Sequence, residues 1–128
     1  MGTKKVLLVG LEEERGLLIR DALAAVGYRL QLAAGPLDAI RQLHEKEVDL
    51  LVVSTLVGEA ALKSLRTDLE ALENASRVLV VGTLADEAEW KAWQSPPRRL
   101  LLREPFDMDD VIEAVGALIG PSGIGPKV

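Results

Sequence analysis

Ser54 carries a lone hydroxyl at the end of the apolar run Asp49-Leu50-Leu51-Val52-Val53. A serine is a poor nucleophile unless a base or a metal activates it, and the neighbouring residues supply neither. It is therefore either a substrate for a serine kinase or, more simply, a small polar strand end. Gly10 closes another apolar run, Val6 to Val9, in the manner of a nucleotide-binding turn. However, Gly10-Leu11-Glu12-Glu13-Glu14-Arg15-Gly16 lacks the G-x-G-x-x-G spacing, and its glutamates repel a pyrophosphate. Glu104 has Arg103 or Lys5 as candidate ion-pair partners. Trp90 and Trp93 are the only tryptophans in a chain that is 3% aromatic. They lie three apart, and tryptophan is enriched where proteins bind one another; covering a sheet is the plainer role. At least one of the pair is expected on the surface, rimmed by Arg98, Arg99 and Arg103. His44, among Arg41, Glu45, Lys46 and Glu47, reads as part of a solvated helix face.

The chain has 128 residues, enough for one domain with a real core. With 48% hydrophobic and 27% charged residues, the composition is globular. The net charge of -5 disfavours nucleic-acid binding. The absence of cysteine excludes disulfides and thiolate metal sites, and the single histidine excludes a site needing two. No cofactor is expected. No apolar run reaches the length of a membrane span, and the N-terminus has too few apolar residues for a signal peptide. The expected location is the cytoplasm.

These residues sit in an alternation of short apolar runs and helical patterns. Val6–Val9 is followed by a helix over about Glu12 to Val26, with Leu18, Ala22, Ala25 and Val26 as its apolar positions. Arg29 to Ala33 alternates like a strand. Pro36 opens a second helix, where its missing N–H is harmless, and Ala39, Ile40 and Leu43 form its inner face. After the strand ending at Ser54, a third helix runs from Glu59 to Glu73 with Leu62, Leu65, Leu69 and Leu72 in one stripe. Val78 to Val81 is a strand closed by Gly82. A short helix is expected over Ala85 to Gln94, then a strand at Leu100-Leu101-Leu102. Asp107 and Asp110 form a capping-box pattern before a last helix. Near-continuous Val and Leu strands indicate a parallel sheet covered on both faces. The fold class is thus α/β, a doubly wound sandwich of five strands and five helices.

Particular residues narrow this further. Lys4 to Val9 with its acidic helix start, Asp49 to Val53, and Arg103-Glu104-Pro105-Phe106-Asp107 resemble the corresponding segments of response-regulator receiver domains of the CheY-like type. The resemblance covers about residues 4 to 119 and leaves 120–128 as a tail of linker composition. It implies strand order 2-1-3-4-5, a site at the C-terminal ends of the first and third strands, and a cis peptide before Pro105. It also implies a phosphorylation pocket, and there the residues depart. The family's acidic pair, which holds Mg²⁺, matches Gly10 and Leu11. Its acceptor aspartate matches Ser54, its hydroxyl residue Gly82, and its lysine Glu104. Its aromatic switch residue matches Leu101, and the loop after Ser54 is about two residues short.

The expectation is a pseudo-receiver with no catalytic, metal or cofactor residues and with its old pocket filled by side chains. Such a module would bind a protein partner, or itself, through the face of the fourth helix, fifth strand and fifth helix. Trp90, Trp93, Leu101 and Arg103 are the candidates there. The rival expectations are a small-molecule binder using the remodelled pocket, and a receiver fragment of a larger regulator with an output domain.

Overall fold

The computed structural model describes residues 4–11, 14–72, 77–83, 88, 91, 93 and 99–120. Strand β1 spans Lys5–Val9, β2 Arg29–Ala33, β3 Leu50–Ser54, β4 Arg77–Gly82 and β5 Arg99–Arg103. Helix α1 spans Glu14–Ala25, α2 Pro36–Glu45, α3 Glu59–Ala71 and α4 Met108–Ile119. All pairings are parallel, in the order β2-β1-β3-β4-β5. The register sets Val9 beside Ala33 and Val53, and Ser54 beside Val81, so the chain leaves these strands at one common edge.

Alternating strand side chains feed two cores. On one face Leu7, Val9, Leu51, Val53, Val78 and Val80 meet Ala39 and Leu43 of α2 and Leu62, Leu65 and Leu69 of α3. On the other, Val6, Leu8, Leu50, Val52, Leu79 and Val81 meet Ile19 and Leu23 of α1 and Val111, Val115, Leu118 and Ile119 of α4. This is why the central strands are apolar at every position and not at every second one.

Local signals agree with the helix ends. Pro36 occupies the first turn of α2. Asp107 accepts from the Asp110 backbone N–H at 2.9 Å, and the Asp110 carboxylate accepts from the Asp107 N–H at 3.0 Å, a complete capping box. The Glu104–Pro105 peptide is cis.

Two expectations need correction. Among the described residues there are four helices, not five. The helix expected over Ala85 to Gln94 lies largely outside them, although Ala88, Lys91 and Trp93 have helical backbone. The inner face of α1 is Gly16, Ile19 and Leu23, and Leu18 is exposed. Leu17, Leu18 and Ile19 are consecutive, so apolar residues surround this helix and periodicity does not fix which side packs. No described helix is long and apolar enough to cross a membrane.

Candidate functional site

A cleft of about 700 Å³ opens at the C-terminal ends of β1, β3 and β4, on the α1 and α4 side. Leu11, Ile19, Val81 and Phe106 form its apolar walls, and Glu14, Arg15, Ser54, Thr83 and Glu104 bring polar groups to it. Leu18 and Leu56 also line it. Four residues singled out in the sequence, Leu11, Ser54, Gly82 and Glu104, thus converge at one site. Gly10 lies just behind them, at the end of β1.

The site is built around the segment Thr55–Val57, a single 3₁₀ turn that follows β3. Ser54 is buried, and its hydroxyl accepts the Leu56 N–H at 3.0 Å. That hydroxyl caps the turn, so the polar strand end is its proper reading. The turn is seated on both sides by glycines. Gly10 has φ +70°, and a Cβ there would lie 2.3 Å from Val57 Cγ1. Gly82 has φ +128°, and a Cβ there would lie 2.1 Å from Thr55 Oγ1. The Thr55 hydroxyl therefore stands where a side chain at position 82 would begin. It accepts the Thr83 N–H at 3.1 Å, fastening the turn to the end of β4.

Glu104 finds its cation, though neither Arg103 nor Lys5. It pairs with Arg15 from the first turn of α1, whose guanidinium also lies 5.4 Å from the centre of the Phe106 ring. The pair is half exposed, so its contribution to stability is about 0–1 kcal/mol. Its larger effect is to neutralise a carboxylate that faces the cleft. Leu11 is buried as expected, but the side chains do not fill the pocket, which stays open above them.

The residues expected to form a partner surface do not lie together on the outside. Trp93 is fully buried in the α2–α3 core, with Arg99 stacked 5.2 Å from its ring centre, so it is not a surface anchor. Leu101 is half-buried against the same core, and Arg103 is exposed. Trp90 lies outside the described residues.

Three site residues escaped sequence reasoning. Arg15 was legible in principle, because the first turn of α1 must rise from the same sheet edge. Phe106 stood out only as part of the turn after β5 and Thr55 gave no signal, since their roles depend on Arg15 and on Gly82 respectively.

This geometry has many counterparts among solved structures. The signal receiver domain of an HD domain-containing protein from Pseudomonas fluorescens Pf-5 superposes with a TM-score of 0.79 at 17% identity, over 93% of this chain and 88% of that one. A response regulator from Thermotoga maritima gives 0.72 at 24% identity, over 92% and 98%. The chain has the receiver fold. A third counterpart, the receiver domain of a sensor histidine kinase from Pseudomonas aeruginosa PAO1, gives 0.76 at 21% identity over 93% and 99%, and it carries a magnesium ion coordinated in its active-site cleft. No family model and no curated protein matches the sequence.

The receiver fold therefore raises the question of magnesium here. That ion takes oxygen ligands in near-octahedral geometry, usually from carboxylates. The described residues contain no cluster of three or more Asp, Glu, His or Cys suited to a metal. At the cleft, Leu11 presents methyl groups, the Ser54 oxygen is engaged, and Glu104 is held by a guanidinium. These residues do not fit a divalent cation.

Proposed function

We propose that this chain is a non-catalytic signalling module of two-component type that acts through protein contacts, independently of aspartyl phosphorylation. The pairing of Glu104 with Arg15 carries the reading. Where a phosphoryl group would need a cation, the pocket offers a carboxylate. Among the described residues, the only basic side chain lining the cleft is already committed to that carboxylate. Ser54 supports the same view, because its hydroxyl caps a turn and is buried. The module spans residues 4–119, with 120–128 as a tail or linker. It would act in the cytoplasm.

The partner, or a second copy, would meet the edge strand β5. Leu100 and Arg103 are exposed there, and Trp90, which lies outside the described residues, is the proposed aromatic anchor. Incubation with acetyl phosphate and millimolar Mg²⁺ tests the chemical half of the proposal. The intact mass should not change; a single phosphoryl adduct lost on hydroxylamine treatment would overturn it. Trp90→Ala tests the other half and should weaken association without unfolding the domain.

A second reading, a small-molecule binder, is favoured by the open cleft, whose volume falls in the roughly 300–1,000 Å³ typical of ligand sites. Soaking or titration with a metabolite library, read by Leu18 and Leu56 methyl shifts, would reveal it.

A further inference from the structure

We infer that the cleft over β1, β3 and β4 binds an uncharged, largely apolar small molecule that carries a carbonyl oxygen. The inference rests on the small-molecule reading and names the class of ligand. Leu18 and Leu56 set the body of that ligand. Both line the cleft, yet they are 53% and 72% exposed. The backbone that bears Leu56 is held in place: Ser54 accepts its N–H, and Thr55 is fastened to Thr83. These methyl groups therefore stay wet in a segment that folding has already ordered, and Leu11, Ile19, Val81 and Phe106 extend the apolar wall. An apolar body that enters the cleft removes this surface from water without the entropic cost of assembling a site.

Free charge is what the cleft does not offer. Glu104 and Arg15 neutralise each other. Glu14, the remaining charged side chain lining the cleft, is exposed and hydrated. An anion finds no uncommitted cation there, and a cation finds no carboxylate shielded from water, so either would lose hydration without gaining a partner. Hydrogen bonding is offered instead. The Ser54 hydroxyl accepts the Leu56 N–H, and the Thr55 hydroxyl accepts the Thr83 N–H. A hydroxyl also has a proton to donate, and neither of these donates it to any of the described residues. Both side chains line the cleft, and Ser54 is only 4% exposed, so little water reaches its proton. A ligand carbonyl supplies the acceptor that these two donors lack.

The test titrates the full chain with four naphthalene probes: acetonaphthone, ethylnaphthalene, naphthoate and naphthylmethylamine. Backbone amide shifts at Leu18, Leu56, Thr83 and Glu104 report the cleft. Acetonaphthone should move them saturably and bind about tenfold more tightly than the hydrocarbon, the worth of one or two hydrogen bonds. Both ions should bind more weakly than the ketone. Leu56→Ser should weaken acetonaphthone about fivefold through lost apolar contact. Leu37→Ser, which alters a leucine that is 83% exposed and outside the cleft, should leave affinity unchanged. Ser54→Ala combined with Thr55→Ala should bring ketone and hydrocarbon to equal affinity. A merely disturbed turn would weaken both probes alike and keep their ratio. No cleft shift with acetonaphthone, an undiminished preference for the ketone in the double variant, or equal loss at Leu37→Ser would overturn the inference. Naphthoate or the amine binding in the cleft as tightly as the ketone would overturn it too, while leaving the small-molecule reading intact. Silence of the cleft towards these probes and a metabolite library alike would sink both.

Discussion

Gly82 and Thr55 show how one residue's loss is locked in by another. An alanine at 82 meets two penalties, a left-handed φ of +128° and the Thr55 hydroxyl 2.1 Å from its Cβ. Gly82→Ala should therefore destabilise the domain by about 1–3 kcal/mol, measured by urea denaturation. In a Thr55→Ala background the same change should cost less, because the clash with the hydroxyl is gone and what remains is the backbone strain with a 3.1 Å approach to the Cβ of residue 55. Equal costs in the two backgrounds would mean that the pair is not coupled. Trp93 is a second case. Fully enclosed and stacked by Arg99, it should cost about 3–5 kcal/mol on truncation to alanine. The sequence could not place Trp93, since helical spacing marks residues that share a side but does not say which side faces the sheet.

Among the elements, α3 was legible and α1 was not. Leu62, Leu65 and Leu69 are buried as their stripe implies, because polar residues fill the other faces of that helix. Helix α1 has leucines outside as well as inside, and the outer one at Leu18 belongs to the cleft. An apolar residue that lines the cleft thus blurred the folding signal of the element that bears it. The capping box of α4 was plain from Asp107 and Asp110, and Asp107→Ala should cost about 0.5–2 kcal/mol in thermal unfolding. The tie between the other end of α4 and the sheet was not visible. There the Tyr28 hydroxyl donates to the Gly120 carbonyl at 2.8 Å, and burial raises the phenol above its usual 10.0. The folded state thus holds this proton more tightly than the unfolded chain does. Its contribution is fully present below about pH 10 and is lost as pH rises through the raised value. Stability should fall more steeply above about pH 10 in the wild type than in Tyr28→Phe, and parallel curves would show that the phenol is not the group responsible.

Over the whole molecule the core is two-sided, and the edge at the ends of β1, β3 and β4 is held by packing and pairing. The strands were readable because burial on both faces forces an unbroken apolar composition, and their order in the sheet followed from the family resemblance. The open cleft was not readable, because whether side chains fill a space depends on directions that composition does not encode. The contacts there are interlocked: Val57 stands beside Gly10, Thr55 beside Gly82, Leu11 is in the core, and Arg15 holds Glu104. Placing the residues expected of a receiver pocket at these five positions, through Gly10→Asp, Leu11→Asp, Ser54→Asp, Gly82→Thr and Glu104→Lys, should therefore not confer phosphorylation. The new side chains at positions 10 and 82 would clash with Val57 and Thr55 in backbone conformations that favour glycine. The carboxylate at position 11 would be a buried charge, and the ammonium at position 104 would face Arg15. The combined cost should exceed about 5 kcal/mol, comparable with the whole stability of a typical domain. The expected outcome is a variant that loses its cooperative thermal transition and takes up no phosphate from acetyl phosphate. Replacing Thr55 and Val57 by alanine and Arg15 by glutamine in the same variant relieves the contacts and should recover part of the transition. A five-residue variant that melts like the wild type and accepts a phosphoryl group would show instead that the old site is merely unfurnished, with nothing built in its place.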